Sequence, residues 1–207
     1  MSTNILTTRR DFLKGSAAAT GALVIGFTLP AASRYAEAAA AAPGALAPNA
    51  FLRITPDGQI TVICGLSEMG QGVHMGIAML VAEELDADWK RVRLEQAPAD
   101  PAYANVLLRM QGTGGSTSIR GSWEPMRKAG ASARQLLVTA AAKAWGADPA
   151  DCRTQDSRVV HNDGRSFGYG ELVEAAAKLP VPADAPLKDP KDFRILGKGL
   201  TRLDTPA

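Results

Sequence analysis

The sequence has few residues of the kinds that bind metal ions or form disulfides. Its 207 residues include two cysteines and two histidines, so a histidine metal site is not expected. It also lacks a G-x-x-x-x-G-K-[ST] motif, and Gly65, Gly70 and Gly72 do not have the spacing G-x-G-x-x-G. Generic nucleotide-binding folds are therefore disfavoured.

A long hydrophobic run is missing as well. The apolar stretch of residues 15–29 is about fifteen residues long, short of the roughly 20 that span a bilayer, and glycine, alanine and threonine dilute it. Arg9 and Arg10 precede it and are followed at once by Asp11-Phe12-Leu13-Lys14. Paired arginines before a weakly apolar stretch predict a twin-arginine export signal rather than a membrane anchor.

We take residues 1–38 as this signal, because Ala36-Glu37-Ala38 has the small-residue form of a cleavage site. Residues 39–49, rich in alanine and proline, form a linker. The expected location is the periplasm, or the membrane surface that faces it. The twin-arginine export machinery is then one expected partner.

The sequence also lacks an excess of positive or negative charge. The signal contains four of the 23 basic and two of the 21 acidic residues, which leaves 19 of each in the rest of the chain. A neutral chain without clustered lysine and arginine is not expected to bind nucleic acid or an anionic membrane. The roughly 170 remaining residues favour a single domain. Cys64 and Cys152 could form one disulfide, but free thiols are favoured, because a protein exported in its folded form does not depend on oxidative folding.

Alternation and turn residues predict the first half of the fold. Residues 51–54 and 59–64 are β-branched or apolar runs around Pro56-Asp57-Gly58, which indicates a hairpin. Apolar residues at helical spacing predict a helix over 74–85. Alternation over 89–97 predicts a strand.

The second half begins with an irregular segment, 98–122. A helix is predicted from Ser122, with Pro125 in its first turn, to Gly146. A hairpin (157–161 and 165–167) and a helix from about Gly170 follow. These elements predict an α+β fold over residues 50–178, with a small mixed or antiparallel sheet and two to three packed helices. The proline-rich segment 179–207 is predicted to be a linker to absent domains.

Two glycine-rich loops precede predicted helices, at residues 65–72 and 111–121. Glycine lets backbone N–H groups approach an anion, and a helix N-terminus adds the positive end of its dipole. Each loop could therefore hold a phosphate or be a structural turn.

The two loops together resemble a known family. Residues 65–74 (Gly-Leu-Ser-Glu-Met-Gly-Gln-Gly-Val-His) and then 114–118 (Gly-Gly-Ser-Thr-Ser) are similar to the molybdopterin-binding region of the xanthine oxidase and aldehyde oxidoreductase family. The resemblance is closest to the exported isoquinoline 1-oxidoreductase beta-subunit type, which also closes with the pattern at 202–207. It covers nearly the whole chain but only the N-terminal part of such a subunit.

The resemblance implies that Met69 and Gln71 of the first loop, and Gly115, Ser116 and Ser118 of the second, contact the pterin cofactor. Glutamine can pair with a pterin ring, and serine hydroxyls can bind its phosphate.

For other polar residues near the loops the interpretation is open or structural. Glu68 could be a general base or could brace the loop. His74 is expected to be structural. Arg109 and Arg120 could neutralise a cofactor phosphate or simply be solvated.

The implied protein is an N-terminal fragment or split small subunit of an exported molybdenum hydroxylase that oxidises an aldehyde or an N-heterocycle. The family's loop with the catalytic glutamate is not in the sequence, so we expect no catalytic residue and no activity from this chain alone. The implied cofactor is molybdopterin, in its cytosine dinucleotide form. The implied partners are the remaining part of the molybdenum subunit and a separate iron–sulfur subunit. The alternative is a non-catalytic binding or assembly module of the same fold.

Overall fold

The computed structural model describes residues 23–26 and 50–203, which form two small sheets and three helices. The first sheet contains, in spatial order, β1 (Leu23–Gly26), β2 (Ala50–Ile54), β3 (Ile60–Cys64) and β4 (Val92–Gln96). Strand β3 pairs antiparallel with β2 and parallel with β4. The predicted α+β class with a mixed sheet is therefore confirmed.

The hairpin predicted at the start of the domain is formed by β2 and β3. Between them, the N–H of Gly58 donates to the carbonyl of Thr55 at 2.8 Å, and Gly58 has a φ of 82°, a conformation that favours glycine. All five residues of β3 are buried. The hairpin thus supplies one wall of the core.

Most of the predicted signal lies outside the described residues. Arg9, Arg10 and the predicted cleavage site are among the residues that are not described. The predicted linker 39–49 and residues 204–207 also lie outside the described ranges. The described part is β1, which pairs antiparallel with β2. Within the described ranges, no helix has both the length and the apolar character that crossing a membrane requires. The export signal stays a prediction.

The first helix, α1 (Val73–Leu85), agrees with the predicted span. The strand predicted from residue 89 begins later, at Val92, so that part of the prediction is wrong. Residues Trp89–Arg91 form a 3-10 turn because the carboxylate of Asp88 accepts the N–H of Lys90 at 3.0 Å. Such a side-chain cap favours a tight turn over an extended strand.

The long helix α2 (Ser118–Trp145) ends before Gly146 as predicted, but it begins four residues before Ser122. Pro125 therefore lies inside the helix and not in its first turn. The helix has already started there, since the N–H of Gly121 donates to the carbonyl of Thr117 at 2.8 Å. At this position Pro125 has no N–H to donate to the carbonyl of Gly121, and its ring crowds that carbonyl.

Helices α1 and α2 cross at close range. A Cβ added to Gly130 of α2 would lie 2.5 Å from the carbonyl oxygen of Val81 and 2.8 Å from the Cβ of Glu84. The apolar face predicted for α2 comprises Met126, Ala129, Ala133, Leu136, Leu137, Ala140 and Ala144; the first six are buried, whereas Ala144, near the end of the helix, is exposed. Together, α1, α2 and the first sheet form most of the core, to which Val159, Tyr169, Leu172, Val173 and Ala176 from the following part of the chain also contribute.

The second sheet contains β5 (Cys152–Gln155), β6 (Arg158–His161) and β7 (Ser166–Gly168), all antiparallel. It is followed by α3 (Tyr169–Ala177). The predicted hairpin and last helix are confirmed, whereas β5 was not predicted.

The favoured prediction of free thiols is also confirmed. Cys64 in β3 and Cys152 at the start of β5 belong to different sheets and are free. Burial raises the pKa of the Cys64 thiol to about 11, so this thiol stays protonated at neutral pH.

The C-terminal part of the chain, predicted to be a linker, packs against α1 and α2. We call residues 186–203 the strap. Many of its polar contacts are made with two adjacent carboxylates at the end of α1, Glu83 and Glu84, both 0% exposed. Glu83 accepts the N–H groups of Arg194, Ile195 and Leu196 at 2.6–3.1 Å. Glu84 accepts the N–H of Lys188 at 3.0 Å and binds Arg127 at 2.6 Å.

These contacts predict a pH dependence of folding. Burial alone raises the pKa of Glu83, but the N–H groups of Leu196, Arg194 and Ile195 and the charge of Lys188 outweigh it and hold the pKa below its ordinary value of 4.5. A lowered pKa stabilises the fold above pH 4.5, and this stabilisation is lost as the pH falls through the folded value. We expect the free energy of unfolding, measured with urea between pH 7 and pH 3, to fall below about pH 4.5.

The matched control is Glu83→Gln, which removes the titrating group and keeps the size of the side chain. It should be less stable at pH 7 and should lose less stability on acidification. Equal slopes for the variant and the unmodified chain would contradict the assignment to Glu83.

Candidate functional site

The first glycine loop, residues 65–72, joins β3 to α1 and is built around Glu68. Its carboxylate accepts the N–H groups of Gly70 at 2.9 Å, Gly72 at 2.8 Å and His74 at 3.0 Å. Gly70 and Gly72 have φ values of 95° and 81°, which favour glycine. Of the two interpretations of Glu68, this geometry matches the brace, since the carboxylate holds the loop and caps α1.

The side chain of Gln71 also holds this loop. Its Nε2 donates to the carbonyl of Ser67 at 2.8 Å, and its Oε1 accepts the N–H of Met69 at 2.5 Å. The Met69 side chain extends away from the protein, with 72% of its surface exposed. A ring nitrogen of His74 lies 2.9 Å from the carbonyl of Leu66, in agreement with the structural role predicted for this histidine.

The second loop, residues 111–117, is fastened to the first. The hydroxyl of Thr113 accepts the N–H of Ser67 at 2.8 Å. Gly115 and Ser116 both have positive φ values, 58° and 52°, and turn the chain into α2 at Ser118. A left-handed conformation at a residue other than glycine costs about 1–3 kcal/mol and is frequent at ligand sites.

The two loops line one open pocket of about 450 Å³, within the range of about 300–1,000 Å³ of small-molecule sites. Four of the five predicted cofactor contacts lie on its wall: Met69, Gln71, Ser116 and Ser118. Gly115 is not on the wall but lies in the turn between two residues that are, Gly114 and Ser116. The structure thus brings together residues that are more than forty positions apart in the sequence.

Both helices present their N-termini to this pocket. Val73 begins α1, Ser118 begins α2, and both line the wall. The first N–H groups of a helix have no partner within the helix and carry the positive end of its dipole. At α1 the carboxylate of Glu68 already accepts the N–H of His74, so it is the start of α2 that suits an anionic group.

Comparison with known proteins fits this geometry. The profile of the molybdopterin cofactor-binding domain family matches residues 9–196. The chain belongs to this family. It is 39% identical over 181 residues to the beta chain of isoquinoline 1-oxidoreductase from Brevundimonas diminuta, a match that covers 86% of this chain and 23% of that protein.

Two further relatives are each 32% identical to this chain. The membrane-bound aldehyde dehydrogenase (pyrroloquinoline-quinone) of Gluconacetobacter polyoxogenes matches 96% of this chain and 26% of its own length. A nicotinate dehydrogenase subunit from Pseudomonas putida matches 75% of this chain and 13% of its own. The chain therefore spans about a quarter, or less, of these relatives.

The groups on the wall of the pocket are of the kind that bind the phosphate of a pterin cofactor. The wall carries the hydroxyls of Thr113, Ser116 and Ser118 beside two helix N-termini. Among the described residues, none with a charged side chain lines it, so no carboxylate on the wall repels a phosphate. Arg109 and Arg120 are exposed and are not part of the wall.

Two residues that hold the second loop were not singled out from the sequence. Thr113 joins the loops as described. Asn105 is buried, donates from Nδ2 to the hydroxyl of Thr117 at 2.8 Å, and accepts the N–H of Leu107 at 3.0 Å. An asparagine before a turn was the available signal, but its contact with Thr117 depends on the tertiary fold.

Proposed function

We propose that this chain supplies pterin-cofactor contacts to an exported molybdenum hydroxylase that oxidises an aldehyde or an N-heterocycle. The observation that carries the proposal is the pocket in which both glycine loops and both helix N-termini meet. The three relatives bear the names of aldehyde, isoquinoline and nicotinate oxidoreductases, which supports this substrate class.

The site residues divide into two roles in this proposal. The hydroxyls of Ser116 and Ser118, with the N–H groups at the start of α2, bind the cofactor phosphate. The turn at Gly115 lets the backbone approach it closely. The bound cofactor supplies the redox chemistry of the reaction.

The residues of the first loop bind the ring side of the cofactor. Gln71 forms hydrogen bonds to the amide-like edge of the pterin. It uses either the donor and acceptor sites of its side-chain amide that its bonds to Ser67 and Met69 leave unused, or the same sites after those bonds are broken. The apolar side chain of Met69 covers the pterin face. The cofactor is proposed to be the cytosine dinucleotide form.

The proposal includes a complement that completes the pocket, the remaining part of a molybdenum subunit. Exposed apolar side chains beside the loops support it: Met69, Leu107, Leu108, Met110 and Ile119 are 38–72% exposed. Contiguous exposed apolar surface is characteristic of interaction sites. Iron–sulfur centres are assigned to a separate subunit, since the described residues hold no cluster of metal-binding side chains.

Export by the twin-arginine route is part of the same proposal. The cofactor would be inserted in the cytoplasm and would cross the membrane inside a folded protein, and Arg9 and Arg10 are suited to that route. Partner chains that lack an export signal would then cross the membrane bound to this chain.

The test is analysis of the purified chain for molybdenum and pterin, alone and after co-expression with its chromosomal neighbours. We expect little cofactor in the chain alone and about one molybdenum per chain in a co-purified complex, because the pocket is open by itself. Cofactor that is absent from every combination contradicts the proposal and favours the non-catalytic assembly module. A bound quinone without pterin contradicts it as well.

A further inference from the structure

The strap contacts the first glycine loop as well as the far end of α1. At the far end, its backbone N–H groups bind Glu83 and Glu84. Near its own end, the carbonyl of Thr201 accepts the indole N–H of Trp89 at 3.0 Å. The next residue, Arg202, brings its guanidinium to 4.0 Å from the carboxylate of Glu68. One segment therefore reaches both the C-terminal and the N-terminal side of α1.

The contact between Arg202 and Glu68 is important because Glu68 holds the first glycine loop in place. Its side chain is 15% exposed, and its two oxygens accept the three N–H groups that define the loop, those of Gly70, Gly72 and His74. The carboxylate of Glu68 can accept all three N–H groups only in this one rotamer, so the conformation of the loop depends on the position of the Glu68 side chain. A guanidinium on its outer side opposes its rotation into solvent and neutralises its charge beside the pocket.

We propose that the strap sets the conformation of the first glycine loop, with Arg202 as the positioning residue that acts through Glu68. Arg202 does not line the pocket, and its effect is on the loop that carries Met69 and Gln71. The part of the inference that concerns cofactor retention rests on the proposed function; the part that concerns the loop does not.

The experiment compares the full chain with Arg202→Ala, Arg202→Lys and Lys198→Ala. Lys198 is an exposed lysine of the same strap, away from the loop contact. Amide hydrogen exchange is measured at Gly70, Gly72 and His74, and at Ile195 and Leu196 as a reference. We expect Arg202→Ala to speed exchange at the three loop amides about two- to fivefold, which is the size of one partly exposed ion pair.

The conservative Arg202→Lys should restore part of the protection, and Lys198→Ala should change nothing. Exchange at the reference amides should stay the same, since Glu83 holds them independently. Unchanged loop amides in Arg202→Ala overturn the inference, and so does a uniform rise that includes Ile195 and Leu196, because that is general destabilisation.

Molybdenum and pterin content of the same variants, co-expressed with the proposed complement, separates this inference from the proposed function. We expect Arg202→Ala to retain less cofactor than Lys198→Ala. If no variant and no unmodified chain ever holds cofactor, the proposed function fails while the exchange result still decides the role of Arg202.

Discussion

Replacing Glu84 by alanine is expected to lower the free energy of unfolding by about 3–5 kcal/mol. Glu84 is fully buried and binds Arg127, whose side chain is 7% exposed, at 2.6 Å. Without the carboxylate, the guanidinium of Arg127 stays buried between the rings of Trp123 and Phe193, at 5.3 and 5.1 Å. A buried charge without its counterion is among the most destabilising changes in a protein. Urea unfolding followed by tryptophan fluorescence measures the change.

The matched control is Glu174→Ala on α3. Glu174 also forms an ion pair, with Lys178 at 2.8 Å, but both side chains are more than 70% exposed. Its loss should change the free energy of unfolding by less than about 1 kcal/mol. If Glu84→Ala fails to fold, Glu84→Gln replaces it, and this variant keeps the acceptor for Lys188 while removing the charge. Similar small losses for Glu84 and Glu174 would contradict the role assigned to the buried pair.

The same residues explain where sequence reasoning reaches its limit. The spacing of apolar residues predicted α1 correctly, because periodicity reports the face of a helix that is buried locally. It gave no sign that Glu83 and Glu84 are buried as well. Their covering groups come from Arg127 and from the strap, 43 and more than 100 positions away in the chain. Adjacent acids at a helix end are ordinarily solvated, so only the tertiary contacts reveal their role.

The start of α2 shows a different limit. Ser122, Glu124 and Pro125 together form a good local start signal, yet the helix begins at Ser118. Thr117, held by Asn105 at 2.8 Å, already places its carbonyl to accept the N–H of Gly121. A bond from a distant side chain thus outweighed the local signal. The extra turn matters for the site because it carries Ser118 to the pocket.

The two glycine turns of the candidate site could be predicted from the sequence, whereas the cofactor contacts that the resemblance assigns to them stay a prediction. Glycines with positive φ and hydroxyls before a helix are local requirements of an anion site, so they are visible in the sequence at each loop. The meeting of the loops was not visible there. It depends on the bond from Ser67 to Thr113 and on the place where α1 and α2 cross.

The second large effect is expected from the pair of changes Ser116→Gly and Ser118→Ala. Glycine suits the positive φ of residue 116, so the hydroxyl is removed without strain, and alanine suits the first turn of α2. Each hydrogen bond to a charged group contributes about 1.5–3 kcal/mol. Loss of both should weaken phosphate binding by about 10²- to 10⁴-fold. Molybdenum and pterin content of the co-expressed complex after gel filtration measures the loss.

Ser166→Ala is the control for this pair, because Ser166 lies in the second sheet, where its hydroxyl binds Arg158 at 2.8 Å. It should retain cofactor like the unmodified chain. An unfolding midpoint of the double variant that is no lower than that of the unmodified chain shows that the loss arises at the pocket and not from misfolding. If the double variant retained full cofactor while folded, the hydroxyls would not be phosphate ligands. The helix N-termini, which these substitutions leave intact, would then have to bind the anion alone.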